Sequence, residues 1–210
     1  MGLKQKTMLA MVRQFRRPHG MGGRAAGWVM AHRESNRKRN VWAVGLLDVQ
    51  PDDRVLEVGF GPGIAIEELA RRATSGRVVG VDHSEVMVRQ ASRRNAAAVR
   101  DGRVDLRLGS AEALPGFDAP FDKMLAVNSL MFWDYPVARL KQLRGLLVPG
   151  GRIAIVFQPR APGSTDETAA RAGEEIAAHF ATAGFTDVRV ETLALQPTAV
   201  VCVLGVSPSP

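Results

Sequence analysis

Apolar positions after residue 50 fall into two alternating patterns. Short runs rich in valine, isoleucine and leucine are each followed by a longer segment whose apolar residues recur every three or four positions. The short runs have the length of strands, and the longer segments have the period of amphipathic helices. Unbroken apolar strands that alternate with helices are typical of a parallel sheet covered on both faces. The pattern therefore predicts an α/β fold with a doubly wound sheet.

Turn residues set the bounds of the predicted elements. Ser84 is suited to capping the start of a helix, and Gly102 and Gly184 are suited to ending one. The predicted strands are 54–59, 77–82, 103–109, 121–127 and 152–157. The predicted helices between and after them are 64–73, 84–100, 137–147 and 166–183.

The two ends of the chain differ from this alternation. Segments 186–195 and 198–206 are both strand-like, and only Gln196 and Pro197 separate them. Strands so close in sequence can pair only as an antiparallel hairpin. Residues 1–50 have a helical pattern with a break at RRPHGMGG. We therefore expect an N-terminal helical arm over residues 1–50 and an α/β domain over residues 51–207.

Charge is unevenly distributed along the 210 residues. The net charge is +7, yet residues 1–40 hold ten Lys and Arg against Glu34 as their single acidic residue. The α/β domain is therefore close to neutral, and the basic character belongs to the N-terminal arm. Such an arm could attract an anionic substrate, a phospholipid surface or a nucleic acid. A solvated helix face would have the same composition, and the sequence leaves these alternatives open.

Cysteine and histidine give little support for metal or disulfide chemistry. Cys202 is the one cysteine and lies in an apolar run, which indicates a small core residue. The four histidines show no spacing typical of metal ligands, so no metal is expected. No apolar run approaches the roughly 20 residues that cross a bilayer. We therefore expect a cytoplasmic protein without a transmembrane segment.

The segment VLEVGFGPG, residues 55–63, places three glycines between the first strand and its helix. Glycines let the backbone turn and approach a ligand, and the first amides of the helix favour an anionic group. Dinucleotide-binding turns have the spacing G-x-G-x-x-G. Here the spacing is G-x-G-x-G, and Ile64 stands where the third glycine of a dinucleotide site would be. The turn therefore favours another ligand over NAD or flavin nucleotides.

Two carboxylates lie at the ends of neighbouring predicted strands. Glu57 lies at the end of a buried strand, where a carboxylate is costly unless it has a partner such as an ammonium group. Asp82 ends the second strand and can accept hydrogen bonds from two ribose hydroxyls. Together with the amides of the turn, these residues suit an amino acid joined to a ribose, which is most of S-adenosylmethionine.

Four motifs then occur in order: VLEVGFGPG, VVGVDHSEVMV, GSAEALP and LLVPGGRIAIV. With these motifs, residues 54–157 resemble the class I S-adenosylmethionine-dependent methyltransferases. The resemblance is to the small-molecule, type 11-like branch that includes quinone-biosynthesis C-methyltransferases. It implies a Rossmann-like sheet of seven strands with an antiparallel last strand, and an N-terminal helical lid. It also implies S-adenosyl-L-methionine as the cofactor.

The resemblance implies roles for particular residues. Asp82 would bind the ribose, His83 and Met87 would flank the adenine, and Ser110 and Ala111 would meet the adenine edge. The family often has Asp at the position of Ser110. The full predicted cofactor set is Glu57, Gly59, Phe60, Gly61, Gly63, Asp82, His83, Met87, Ser110, Ala111 and Asn128.

The acceptor side of the site is less well defined by the sequence. Met131, Phe132 and Trp133 could form an apolar wall or an ordinary core. The acceptor-binding candidates are Trp28, Ser129, Trp133 and Arg160. Gln158 and Arg160 follow the fifth strand at the ligand-facing edge, where Arg160 could pair an acidic acceptor or be a surface charge. The polar run SNRKRN, residues 35–40, could contact the cofactor or the substrate. The weak candidates for a general base are His19 and His32.

The expected function is methyl transfer to a small organic acceptor, anionic or amphipathic. The alternatives are an RNA or protein methyltransferase that grips its target with the basic arm, and a non-catalytic module that binds the cofactor or a membrane. Asn128 and Ser129 are not followed by the Pro-Pro-aromatic arrangement of base amino-methyltransferases, which makes nucleic acid the less favoured acceptor.

Overall fold

The computed structural model describes residues 34–209, so the predictions for Trp28, His19 and His32 lie outside the described residues. The described helices are α1 (Glu34–Leu47), α2 (Ile64–Arg72), α3 (Glu85–Arg94), α4 (Ala96–Arg100), α5 (Pro136–Arg144) and α6 (Asp166–Ala183), with a 3-10 turn at Leu130–Phe132. The strands are β1 (Arg54–Val58), β2 (Arg77–Asp82), β3 (Val104–Leu108), β4 (Phe121–Val127), β5 (Leu147–Phe157), β6 (Thr186–Leu193) and β7 (Val200–Val206).

The strands form one sheet in the order β3-β2-β1-β4-β5-β7-β6. The five strands from β3 to β5 are parallel, and β7 is antiparallel to both β5 and β6. This confirms the predicted seven-stranded α/β fold with an antiparallel last strand. Strand order reverses between β1 and β4, and the crevice outside the carboxyl ends of strands at such a point is where ligands bind in open α/β sheets.

Two predicted elements differ from the structure. The helix predicted over 84–100 is divided into α3 and α4, because the Asn95 side chain donates to the carbonyls of Ala91 and Gly63 and ends α3 there. Strand β5 begins at Leu147, five residues before the predicted start, because Leu147 already pairs with Phe121 of β4. Helix α5 consequently ends at Arg144. The predicted helix cap at Ser84 is confirmed, since its hydroxyl accepts from the Met87 amide.

Helices cover both faces of the sheet and bury two apolar clusters. Helices α1, α2 and α3 pack on one face, and α5 and α6 pack on the other. Val55 belongs to the first cluster and Leu56 to the second. Because strand side chains alternate between faces, Glu57 points to the face that α1, α2 and α3 cover.

Helix α1 lies within the predicted N-terminal arm and packs on α2, β4 and β5. Its buried positions repeat every three or four residues, as expected for one helix face. They are Asn36, Arg39, Asn40, Ala43, Val44 and Leu47. The apolar half of this face joins the core, whereas the polar half lies toward the carboxyl ends of the strands. The domain boundary at residue 50 stays a prediction.

Among residues 34–209, no helix combines the length and the apolar character that a membrane crossing requires.

Candidate functional site

The three glycines after β1 have different surroundings. All have positive φ, at 79°, 54° and 78° for Gly59, Gly61 and Gly63. A Cβ on Gly59 would lie 2.6 Å from the Cβ of Ser129, and one on Gly63 would lie 2.7 Å from the Cβ of Ala91. A Cβ on Gly61 would meet nothing within 4 Å. Gly59 and Gly63 are therefore required by packing, whereas Gly61 borders open space where a ligand could approach the backbone.

Glu57 is buried in the middle of the sheet, between Gly80 of β2 and Leu125 of β4. Its residue exposure is 1%, and its Oε2 has no hydrogen-bond partner among the described residues. Burial, and secondly the charge of Asp82, raise the pKa of Glu57 to about 8. At neutral pH this side chain is therefore mostly protonated, and an ammonium group placed beside it would favour its ionised form.

Asp82 connects the end of β2 to the glycine turn. Its Oδ2 accepts from the Gly61 amide at 2.8 Å, and its Oδ1 accepts from the Ser84 amide at 2.9 Å. Burial raises the pKa of Asp82, and these two amides oppose that rise because they stabilise the carboxylate. Because the charge of Asp82 also contributes to the raised pKa of Glu57, the two predicted carboxyl groups are close enough to affect each other's ionisation.

These features fit the amino acid end and the ribose of S-adenosylmethionine. The unpartnered Glu57 oxygen suits an ammonium group, and the open face of Gly61 leaves room beside a backbone amide. The Asp82 carboxylate is a suitable acceptor for paired ribose hydroxyls. Glu57, Gly61 and Asp82 are therefore the residues expected to hold the cofactor, and the residue assignments stay predictions.

Residues predicted at the adenine end lie in two kinds of environment. The His83 side chain is partly exposed, with Nδ1 3.8 Å from Oδ1 of Asp82. Ser110 follows β3, and its hydroxyl accepts from the Ala113 amide at 3.2 Å. Met87 and Ala111 are buried in the two core clusters.

Aromatic residues predicted near the ligand are partly core residues. Phe60 is buried, and its ring lies over Gly80 closely enough to exclude a Cβ there. Trp133 is 8% exposed and packs in the cluster on the other face of the sheet. Met131 and Phe132 are 44% and 36% exposed. These two residues, and not Trp133, are therefore available to form an apolar wall.

Asn128 and Ser129 connect the end of β4 to both neighbouring strands. The Asn128 side-chain oxygen accepts from the backbone amide of Gln158 at 2.8 Å, and Asn128 itself has φ of 51°. The Ser129 hydroxyl donates to the Val58 carbonyl at 2.9 Å. Both side chains thus hold the carboxyl ends of β1, β4 and β5 together, a role that their sequence positions did not indicate.

A polar cluster at the end of β5 joins two segments that the sequence placed near the ligand. Arg39 and Arg160 both donate to the Gln158 side-chain oxygen, each at 2.8 Å. Arg160 also donates to the Asn36 side-chain oxygen at 3.0 Å. The sequence did not indicate that the polar run 35–40 and the segment 158–160 contact each other. Their contact with a ligand stays a prediction.

Groups of three or more His, Cys, Asp or Glu that could hold a metal do not occur in residues 34–209.

The similarities to known proteins agree with this geometry. A methyltransferase-domain family model matches residues 55–151. The "Uncharacterized methyltransferase YdaC" of Bacillus subtilis is 33% identical over 184 residues, which cover 88% of this chain and 98% of that relative. This chain therefore belongs to the methyltransferase family, and the family model together with this relative assigns it to the class I enzymes that use S-adenosylmethionine.

Two further similarities are more partial. The "Ubiquinone/menaquinone biosynthesis C-methyltransferase UbiE" of Geotalea daltonii is 30% identical over 116 residues, which cover 55% of this chain and 49% of that relative. A solved S-adenosylmethionine-dependent methyltransferase from Aquifex aeolicus superimposes with a TM-score of 0.66 at 19% identity, covering 83% of this chain and 93% of that one. At 19% identity, the similarity to the Aquifex aeolicus structure supports the fold assignment alone.

Gly61→Ala tests whether the open side of the turn faces the ligand. The new Cβ should lower S-adenosylhomocysteine affinity at least about ten-fold, or about 1.4 kcal/mol, because it occupies the space beside the backbone amide. Isothermal titration calorimetry measures this change.

Gly102→Ala is the matched control, since Gly102 has φ of 73° and an equally open Cβ position between α4 and β3. Both variants should lose about 1 kcal/mol of unfolding free energy from the positive φ. Wild-type affinity in Gly61→Ala would show that the turn does not face the ligand.

Cofactor binding at pH 7 should release close to one proton from Glu57. In the ligand-free protein the Glu57 carboxyl group has a pKa of about 8. A neighbouring ammonium group should lower that pKa well below 7. Calorimetry with S-adenosylmethionine in buffers of different ionisation enthalpy measures the proton count. Glu57→Gln should release none, and equal proton release by both proteins would contradict the assignment.

Glu57 should also make stability depend on pH in the free protein. Its folded-state pKa of about 8 is above its ordinary value of 4.5, so its stabilising contribution is complete below pH 4.5 and is lost as pH rises through 8. The unfolding free energy of the wild type should therefore fall relative to Glu57→Gln between pH 5 and 9, by on the order of 4 kcal/mol. Urea unfolding at several pH values measures the difference, and parallel curves would contradict this pKa.

Proposed function

We propose that this protein transfers the methyl group of S-adenosylmethionine to a small organic acceptor bound beside the carboxyl ends of β4 and β5. The observation that carries the proposal is the buried, unpartnered oxygen of Glu57 beside the open turn at Gly61. A buried carboxyl oxygen without a partner is costly to the fold, and a ligand that supplies a partner explains its presence.

The chain's own residues have mainly a positioning role in this proposal. When bound, S-adenosylmethionine supplies an activated methyl group on a sulfonium. Glu57 would hold the amino acid end of the cofactor and Asp82 its ribose, so that the acceptor side of the site faces β4. Because the methyl group is already activated, orientation and exclusion of water can provide much of the acceleration.

The acceptor is proposed to lie on the β4 and β5 side of the turn. Met131 and Phe132 are exposed there and could contact an apolar part of the acceptor. The relative from Geotalea daltonii is named for quinone biosynthesis, which supports a small organic acceptor for this chain also.

The N-terminal arm, residues 1–50, is proposed to cover the acceptor as a helical lid. Trp28 would line the pocket, and His19 or His32 would act as general base if the acceptor is a weakly acidic hydroxyl. The basic charge of this segment also favours a second candidate, an RNA methyltransferase that uses the segment to bind phosphates.

Transfer of labelled methyl groups separates these candidates. The full chain is incubated with methyl-labelled S-adenosylmethionine and, in parallel, with small phenols and quinols, with total RNA, and with protein. We expect label in a small organic product. Label in RNA or protein alone, or cofactor binding without transfer to any acceptor, would contradict the proposal.

Asp82→Ala in the same assay tests whether transfer depends on the described site. Removal of the carboxylate should weaken cofactor binding by on the order of 1–3 kcal/mol, because paired hydrogen bonds to a charged acceptor are lost. Transfer at subsaturating cofactor should fall in proportion, and an unchanged rate would place the cofactor elsewhere.

A further inference from the structure

The buried face of α1 changes from apolar to polar where it reaches the carboxyl ends of the strands. Ala43, Val44 and Leu47 pack in the core, whereas Asn36, Arg39 and Asn40 are equally buried one and two turns earlier. Buried polar residues on a helix face that otherwise forms core are costly unless each has a polar partner, so the partners of these side chains bear on why they are there.

Arg39 is the charged member of this polar half-face. It is 6% exposed, and its side chain donates to the neutral Gln158 oxygen. Within residues 34–209, its Nε has no hydrogen-bond partner and no carboxylate lies within ion-pair distance. Burial, and secondly the charge of Arg160, lower the pKa of Arg39 to about 9. A buried guanidinium without an anion is unfavourable and would be stabilised by one.

Gln158 is fixed so that its oxygen faces both arginines. Its side-chain nitrogen donates to the carbonyls of Thr198 at 2.8 Å and Gln196 at 3.3 Å, and its backbone amide donates to Asn128. The carbonyl oxygen therefore points away from these groups and accepts from Arg39 and Arg160. Two positive charges converge on one neutral atom, and Arg160 is exposed and gives access from solvent.

The position of this cluster relates it to the acceptor. Gln158 lies four residues beyond Ala154, which is level with Leu125 and Glu57 through the paired registers, so Gln158 is near the level of Gly61. Strands β1 and β5 are separated by β4, which places them roughly 10 Å apart. The cluster is therefore at the same edge as the glycine turn but on the side of β4 and β5.

We propose that Arg39 and Arg160 form an oxyanion site that binds a carboxylate or phosphate group of the methyl acceptor. The planar guanidinium forks suit both groups, which accept paired hydrogen bonds. This inference rests on the proposed small-molecule function, and it narrows the acceptor to an acidic compound.

Matched probe pairs test the proposal on the full chain saturated with S-adenosylhomocysteine. The acids are benzoate and phenyl phosphate, and their neutral counterparts are benzamide and phenol. Calorimetry should show tighter binding of at least one acid than of its neutral counterpart. Equal affinities within both pairs would overturn the proposal.

Arg160→Met should weaken binding of that acid about ten-fold, which is about 1.4 kcal/mol. Arg93→Met removes one exposed positive charge from α3 and should leave the affinity unchanged. Equal losses in the two variants would show a general effect of net charge and would overturn the proposal. Arg39→Lys, which keeps the charge and loses the planar fork, should also weaken binding, and wild-type affinity there would overturn the two-arginine site.

S-adenosylhomocysteine affinity separates the acceptor from the cofactor as the source of the oxyanion. It should be unchanged in Arg160→Met, since the cofactor's amino acid end is assigned to the turn after β1. A ten-fold loss would mean that the arginines bind the methionine carboxylate, and the acceptor proposal would be overturned. A wild-type chain that does not bind S-adenosylhomocysteine would instead contradict the proposed function itself.

Discussion

The site depends on two carboxyl groups held at the carboxyl ends of adjacent parallel strands. Glu57 is enclosed on β1 between β2 and β4, and Asp82 ends β2 beside the glycine turn. Burial, and secondly the charge of Asp82, raise the pKa of Glu57 to about 8, so at neutral pH the ligand-free protein holds a mostly protonated carboxyl group there. A ligand with an ammonium group and vicinal hydroxyls can satisfy both groups, and this requirement links the fold to the cofactor.

The glycine turn makes that arrangement possible because each of its three glycines has a different structural role. Gly59 allows Ser129 to approach β1, and Gly63 allows α3 to approach the turn. With these contacts fixed, the Gly61 amide is directed at Asp82 while its other side stays open. The hydrogen bonds of Asn128 and Ser129 extend the same rigid edge to β4 and β5. The proposed cofactor and acceptor sides would therefore be parts of one framework.

Much of the fold could be predicted because the spacing of apolar residues and the positions of turn residues indicate the same strands and helices along the chain. The hairpin of β6 and β7 followed from the short segment around Gln196, which cannot hold a crossover. The break between α3 and α4 could not be predicted, since it depends on a contact of Asn95 with Gly63, distant in sequence.

The site was predictable only where chemistry and spacing coincide. Glu57 and Asp82 stood out because carboxylates are unusual at the ends of buried strands. Arg39 and Gln158 lay in two segments that were expected near the ligand, but their hydrogen bond could not be predicted, because it forms only when α1 packs against the end of β5. For Trp133 the sequence left open an apolar wall or an ordinary core, and the residue packs in the core cluster on the face that α5 and α6 cover.

The most direct test of the central claim is a crystal structure of the full chain with S-adenosylhomocysteine. The account predicts the ligand's ammonium group beside Glu57, directly or through one water, and both ribose hydroxyls on the Asp82 carboxylate. A ligand bound with neither contact, or a chain that takes up no ligand while Glu57 stays enclosed by protein atoms, would contradict it.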